Sequence, residues 1–279
     1  MSGTTRIGIV GGAGWLGAAF AEAIVDAGIV TLDQLTLSYR NTLPDRLPEA
    51  KWTKDNAELA SRSDIVIVSV RPHDLPAVRI AGGKLIISVM AGITLAELSR
   101  HFRTDRVVRT IPNAAAECRK SYTPWVASDG VTASDREIVR RILEACGSAD
   151  EVKTEMDIDY FTGVTGSGPA FPALLAEAMM EDAIKRGISP EVACRSVNAV
   201  LIGAGRLIEN HGERPEDIVQ TFVDYGGTTA AAIAAMRNAG FNAAVHKGLE
   251  AALQKSLSMG KAISRPRKEK KGSKAASKK

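Results

Sequence analysis

Cysteine is scarce in this chain, and Cys118, Cys146 and Cys194 are widely separated, with no C-x-x-C pair among them. Such spacing builds neither a disulfide framework nor a zinc site, and it reads as a reduced, cytoplasmic protein without metal. Histidine is nearly as rare, with four in 279 residues. His101, His211 and His246 read as surface residues, while His73 stands beside Arg71-Pro72. Long unbroken apolar runs are also missing. The nearest approach, 7–21, is punctuated by glycines and leads into Glu22 and Asp26. It therefore reads neither as a signal-peptide core nor as a membrane span, which needs about 20 apolar residues. A hydrophobic fraction of 45% with 5% aromatics fits a well-cored globular protein, and the length suits two domains.

A general excess of basic charge is lacking as well. The net charge is +4, but residues 264–279 hold eight Lys/Arg and one Glu, a tail of +7 that leaves the body at −3. A Lys/Ser/Gly tail cannot bury enough apolar surface to order itself and reads as disordered. The body is not basic, so nucleic acid is not an expected partner, and weak contact with nucleic acid or membrane is left to the tail as the alternative to a solvated end.

What is present divides in two. From residue 6 to about 155, short β-branched runs (RIGIV, LTLSY, DIVIVSV, KLIISV, RVVRT, TPWVA) alternate with helix-like segments. Runs apolar on both faces, such as 64–70, read as central parallel strands covered by helices. The first half is expected to be an α/β doubly wound sheet of Rossmann type. Beyond residue 156 the period lengthens to about 3.6, over 168–186, 190–209, 215–222 and 228–261. Ser189-Pro190 supplies an N-cap followed by proline at the first helical position, and Gly187 ends the helix before it. The expected division is a cofactor domain over 1–155, an all-α domain over 156–262 and the basic tail over 263–279. Small, alanine-rich helix faces (AAAIAAM, FNAAVHKGLEAAL) suit close packing within a domain or between subunits.

The first strand runs into Gly11-Gly12-Ala13-Gly14-Trp15-Leu16-Gly17 and then a helix. A G-x-G-x-x-G between a strand and a helix is the dinucleotide fingerprint. Gly12 is expected to make the tight turn, Gly14 to let the pyrophosphate approach, and Gly17 to permit close packing. The helix start at Trp15 and Leu16 offers free N–H groups to phosphate. At the end of the second strand, where an acid would meet a free ribose 2′-hydroxyl, the chain has Ser38-Tyr39-Arg40-Asn41. A hydroxyl followed by Arg40 suits a 2′-phosphate, so NADPH is expected, with NADH as the alternative.

With these residues in place, the chain resembles the pyrroline-5-carboxylate reductase family from its first strand to about residue 262. Asp64-Ile-Val-Ile-Val-Ser-Val70-Arg71-Pro72-His73 is similar to the family's strand and loop under the cofactor, and Asn56 falls where the family has a cofactor-contacting Asn. Ser88-Val-Met-Ala91-Gly-Ile-Thr94 resembles the turn beside the nicotinamide, and Arg109-Thr-Ile-Pro-Asn113 the family's Met-Pro-Asn. Thr165-Gly-Ser-Gly-Pro-Ala170 and Gly226-Gly227-Thr228-Thr229 match its most specific motifs.

The resemblance implies reduction of the cyclic imine 1-pyrroline-5-carboxylate to proline by a homodimer or ring of dimers. It also implies that Ala13, Gly14, Ser38, Arg40, Asn41, Asn56, Val70, Arg71, Pro72 and Ala91 contact the cofactor. Asn113, Gly227 and Thr228 would contact the imine acid, and Thr229 would hydrogen-bond or protonate its nitrogen. A side-chain-free turn opening a helix suits this independently, since its exposed amides and the helix dipole can hold a carboxylate. Threonine is a weak acid, so a protonated imine steered by Thr229, or a water relay, serves equally.

The chain departs from the family at Asp224-Tyr225, where Ser-Pro is usual, and at 114–116, three alanines where Thr-Pro follows the Asn. Another cyclic imine acid is therefore an open alternative, as is a non-catalytic NADP-binding protein. A 3-hydroxyacid dehydrogenase would need Lys and Asn on the helix after its glycine motif, and 169–176 has no polar residue.

Overall fold

A computed structural model describes residues 5–212 and 214–263, so all of the basic tail after residue 263 lies outside the described residues. Eight strands form one sheet: β1 (Ile7–Val10), β2 (Leu35–Ser38), β3 (Lys51–Thr53), β4 (Ile65–Val68), β5 (Leu85–Ser88), β6 (Val107–Thr110), β7 (Ser121–Ala127) and β8 (Gly147–Glu151). Their order is β3-β2-β1-β4-β5-β6-β7-β8. All neighbours are parallel except β6 and β7. The first six strands follow the dinucleotide-binding order, which reverses direction beside β1 and so opens a crevice at the carboxyl ends of β1 and β4.

Alternate side chains explain why the central strands are apolar throughout. Ile7, Ile9, Ile65 and Ile67 pack under α1 (Trp15–Asp26) and α4 (Ala133–Glu144), through Phe20, Ile24, Val139 and Ile142. Val10, Val66, Val68 and Ile86 pack under α2 (Asn56–Ser61) and α3 (Leu95–Phe102), through Leu59, Leu98 and Phe102. A parallel sheet covered on both faces needs apolar residues at every position.

Two strands escape the sequence reading. β3 has three residues at the sheet edge, and β8 is Gly-Ser-Ala-Asp-Glu, largely exposed and without a β-branched apolar residue. Pairing holds β8, with Ser121 to Trp125 of β7 in register against Gly147 to Glu151, and Ala149 packs on the core while Glu151 pairs with Arg136 of α4. His101 is also a correction, because it is half-buried, lies edge-on to Phe102, and has Nε2 2.8 Å from the Val78 carbonyl oxygen.

The second half contains α5 (Glu155–Phe161), a π-type turn over Thr162–Gly166, α6 (Ala170–Lys185), α7 (Pro190–His211), α8 (Pro215–Asp224), α9 (Thr228–Asn238) and α10 (Phe241–Ile263). The stretch 228–261, read as one helical run, is two helices, because Gly240 at φ +90° closes α9 in the left-handed conformation. α10 folds back onto α5 and the π-type turn, where a Cβ on Gly163 would stand 3.1 Å from that of Ala252.

The helical half leaves a large apolar surface uncovered within one chain. On α6 and α7 the buried apolar residues are Ala176, Ala193 and Val197, whereas Leu174, Val200, Ile202 and Leu207 are more than half exposed. Burying one such side chain contributes about 1.5–3 kcal/mol, so helices this bare within a single chain require a partner surface. Among the described residues no helix is long and apolar enough to cross a membrane.

Candidate active site

The crevice over β1 and β4 encloses about 510 Å³ and is lined by Val10, Gly11, Ala13, Gly14, Ser38, Tyr39, Arg40, Asn41, Thr42, Lys54, Asn56, Val70, Asp74, Ala77 and Val78. Its floor is the glycine turn. Gly11 takes φ +78°, and a Cβ there would come 2.3 Å from the Ser69 carbonyl oxygen. The tight turn expected at Gly12 therefore belongs to Gly11. Gly12 is buried and donates its amide to the Ile9 oxygen, and its own Cβ would meet Leu37 at 3.0 Å. Gly17 lies so close under the turn that its Cβ would stand 2.4 Å from the Gly11 oxygen.

α1 starts after Gly14 with no side-chain cap and no acid in its first turn. Among the described residues the amides of Trp15 and Leu16 have no acceptor. Free amides, an aligned helix dipole and a backbone bare of side chains at Gly14 fit a dinucleotide pyrophosphate. Gly11→Ala is expected to weaken binding of the reduced cofactor at least tenfold, measured by titration of its fluorescence. An unchanged affinity would mean that the turn yields without harm.

At the end of β2, Ser38 is buried, and its Oγ accepts the Gly11 N–H at 2.9 Å, so it fixes the turn from beneath while lining the crevice. Arg40 and Asn41 are exposed at the rim, and Asn56 is half-buried at the start of α2. Tyr39, Thr42, Lys54 and Asp74 join them, and sequence reasoning missed all four. Asp74 comes from the turn 72–77, far along the chain from Arg40, and only folding pairs them.

Of the remaining expected residues, only Val70 is in the crevice lining. Arg71 is exposed and Pro72 half-buried at the start of the turn 72–77. Ala91 packs against the Ile111, Val126 and Ile158 cluster. Trp15 Nε1 donates to Glu117 Oε2 at 2.9 Å, tying α1 to the turn 114–118. Asn113 has structural partners on both ends of its amide. Its Oδ1 accepts the Ala115 N–H at 2.9 Å and its Nδ2 donates to the Thr165 oxygen at 2.9 Å, which leaves one Nδ2 hydrogen for a substrate. It thereby joins the exit of β6 to the π-type turn.

The turn expected to take the imine acid lies between α8 and α9. Tyr225 caps α8, Gly226 takes φ +70°, and Gly227 is the N-cap of α9 with no side-chain cap. Thr228 and Thr229 are exposed, and among the described residues their hydroxyls and amides have no partner within the chain. The threonines thus do not cap the helix that they open. Tyr225 is 88% exposed, and its ring edge lies 3.3 Å from where a Gly227 Cβ would be, so it forms a wall beside the turn. No residue of this turn lines the crevice of its own chain.

Other chemistry finds little support. Burial pushes the Cys146 thiol up to about 12, far from a reactive thiolate. Among the described residues no three His, Cys, Asp or Glu side chains gather where they could hold a metal ion.

Comparison with known proteins bears on both halves. Residues 155–259 match the family profile described as pyrroline-5-carboxylate reductase dimerisation. Residues 6–92 match the one described as NADP oxidoreductase coenzyme F420-dependent. Pyrroline-5-carboxylate reductase 3 of Macaca fascicularis is 31% identical over 261 residues, covering 90% of this chain and 94% of that protein. The solved pyrroline carboxylate reductase of Plasmodium falciparum, with NADP bound, is 25% identical, with a TM-score of 0.78 over 92% of this chain and 98% of that one. The pyrroline-5-carboxylate reductase structure from Coxiella burnetii, 23% identical, superposes with a TM-score of 0.83 over 95% and 100% of the two chains and shows the same fold.

Proposed function

The chain belongs to the pyrroline-5-carboxylate reductase family and reduces 1-pyrroline-5-carboxylate to proline with a nicotinamide dinucleotide, and we propose that NADPH is the donor and that Gly226–Thr229 is the imine site. When bound, the dihydronicotinamide supplies a hydride to the imine carbon. Gly14 and the amides of Trp15 and Leu16 hold the pyrophosphate, and Arg40 and Asn41 take the 2′-phosphate. Asn56, Val70, Arg71, Pro72 and Ala91 border the rest of the cofactor. The amides of Gly227 and Thr228, with the Thr228 hydroxyl, hold the substrate carboxylate at the start of α9, where the helix dipole favours an anion. The Thr229 hydroxyl orients the imine nitrogen and its proton. Residues 1–155 thus carry the cofactor, and 156–262 carry the substrate turn and the dimer contact.

The single observation that carries this reading is the bare turn: hydroxyls and amides without partners at the mouth of a helix whose first turn holds no acid. Because this turn is absent from the crevice of its own chain, the working site joins one protomer's crevice to its partner's turn. The exposed faces of α6 and α7 bury themselves in that dimer. Three free thiols and no membrane-spanning helix among the described residues suit the cytoplasm.

Tyr225 motivates a second reading, in which the wall beside the turn selects a six-membered imine acid. Oxidation of NADPH and NADH is to be followed with 1-pyrroline-5-carboxylate, its six-membered homologue and the 2-carboxylate isomer. Highest kcat/KM for 1-pyrroline-5-carboxylate with NADPH is expected. Preference for the larger ring would transfer the assignment to Tyr225's alternative, and cofactor binding without turnover on any imine would overturn both.

A further inference from the structure

Besides Arg40, the rim of the crevice at the ribose end carries charges that the NADPH reading does not use, those of Asp74 and Lys54. Arg40 Nη2 lies 3.0 Å from Asp74 Oδ2, with the carboxylate side chain 22% exposed and the guanidinium 70%. Asp74 Oδ1 is 3.7 Å from His73 Nε2. Across the rim, Lys54 Nζ stands 5.3 Å from the centre of the Tyr39 ring, and among the described residues it has no carboxylate partner. Arg40, Lys54 and Asp74 line one crevice together with Ser38 and Asn41.

These charges pull in opposite directions on a 2′-phosphate. A dianion entering between Arg40 and Lys54 gains two cations, but Arg40 already faces a carboxylate fixed on the turn 72–77, and that carboxylate repels the newcomer. A ribose with a free 2′-hydroxyl meets no such conflict, since Asp74 can accept from a hydroxyl as an acid at the end of β2 does in NAD-binding chains. Near a surface, a unit charge about 4–6 Å away is enough to shift a ratio of affinities severalfold before salt screening.

We propose that Asp74 and Lys54 set the cofactor preference at the ribose 2′-position, Lys54 as the free cation that draws in a 2′-phosphate and Asp74 as the carboxylate that restrains Arg40 and favours a free 2′-hydroxyl. This rests on the nicotinamide dinucleotide reading of the crevice and deepens it, because it assigns discrimination to two residues outside the glycine turn and the end of β2. The device makes the chain tolerant of both cofactors rather than strict for one.

Adenosine 2′,5′-bisphosphate and adenosine 5′-monophosphate differ only by the 2′-phosphate and need neither nicotinamide nor imine. Their affinities for the full-length dimer are to be measured by calorimetry in wild type, Asp74→Asn and Lys54→Met. The bisphosphate-to-monophosphate affinity ratio is expected to rise about fivefold in Asp74→Asn and to fall about tenfold in Lys54→Met, with both changes shrinking at high salt. Asp74→Asn is nearly isosteric at a surface turn, and an unchanged melting temperature verifies its fold. A ratio unaltered by either substitution overturns the proposal, as does a rise in monophosphate affinity in Asp74→Asn. A wild type that prefers the monophosphate would end the NADPH assignment but leave the opposite signs of the two variants as the test of this one.

Discussion

Thr229→Val lowers kcat for imine reduction about a hundredfold while KM changes little, the result expected if the hydroxyl acts on the nitrogen during hydride transfer. The change is isosteric and lies on an exposed position at the start of α9, so packing is not disturbed. A positioned proton donor or hydrogen bond to a developing charge contributes typically 10²–10⁴-fold. Some activity survives, because the hydride donor and the carboxylate contacts still bring the reactants together. Thr228→Val separates the two roles: it is expected to raise KM about tenfold with a smaller effect on kcat, since a carboxylate contact is present equally in ground and transition states. Steady-state kinetics at saturating NADPH read both. Equal rates for wild type and Thr229→Val would remove the hydroxyl from the chemistry, and a change confined to KM would reassign Thr229 to binding.

Arg109→Met is expected to destabilise the protein by about 3–5 kcal/mol, a fall in melting temperature of about 10 °C. Arg109 is 1% exposed on β6, with Nη1 3.0 Å from Glu155 Oε1 and Nη2 2.5 Å from Asp159 Oδ1. Glu155 Oε1 also accepts the Leu95 amide, and Asp159 Oδ1 the Ser256 hydroxyl. One guanidinium thus joins the sheet, the start of α3, α5 and α10. Among the described residues its Nε has no partner, so the cluster is already costly to bury. Truncating the arginine leaves the buried Asp159 carboxylate uncompensated, and the loss comes from that stranded charge rather than from the pair's net worth. Adding Asp159→Asn to Arg109→Met removes the charge and keeps an acceptor for Ser256, and is expected to recover more than half of the loss. Thermal unfolding checks both; a single variant within about 1 kcal/mol of wild type, or a double variant no better than the single, would show that the cluster is not what ties the halves together.

The central strands were legible because a buried parallel strand must be apolar at every position, as 65–68 and 85–88 are. The glycine fingerprint was legible because a close backbone approach tolerates no Cβ, although the sequence could not say which of two adjacent glycines takes the left-handed turn, and Gly11 does. β8 was invisible because a largely exposed edge strand of small and acidic residues shows no apolar alternation. The break at Gly240 was hidden because a helical period resumes directly after it, and His101 was misjudged because its partner is a carbonyl 23 residues away.

Sequence by itself determined the family, the two architectures, the glycine turn and the Gly226–Thr229 motif, because each is written in local residue types and their spacing. Tertiary structure decided the rest. It joined Arg109 to carboxylates 46 and 50 residues on, placed Asp74 against Arg40, gave Asn113 structural partners, and left Thr229 facing out of its own chain. Charges and hydrogen bonds act over a few ångströms in space, and only the folded path of the chain sets which groups come within that range.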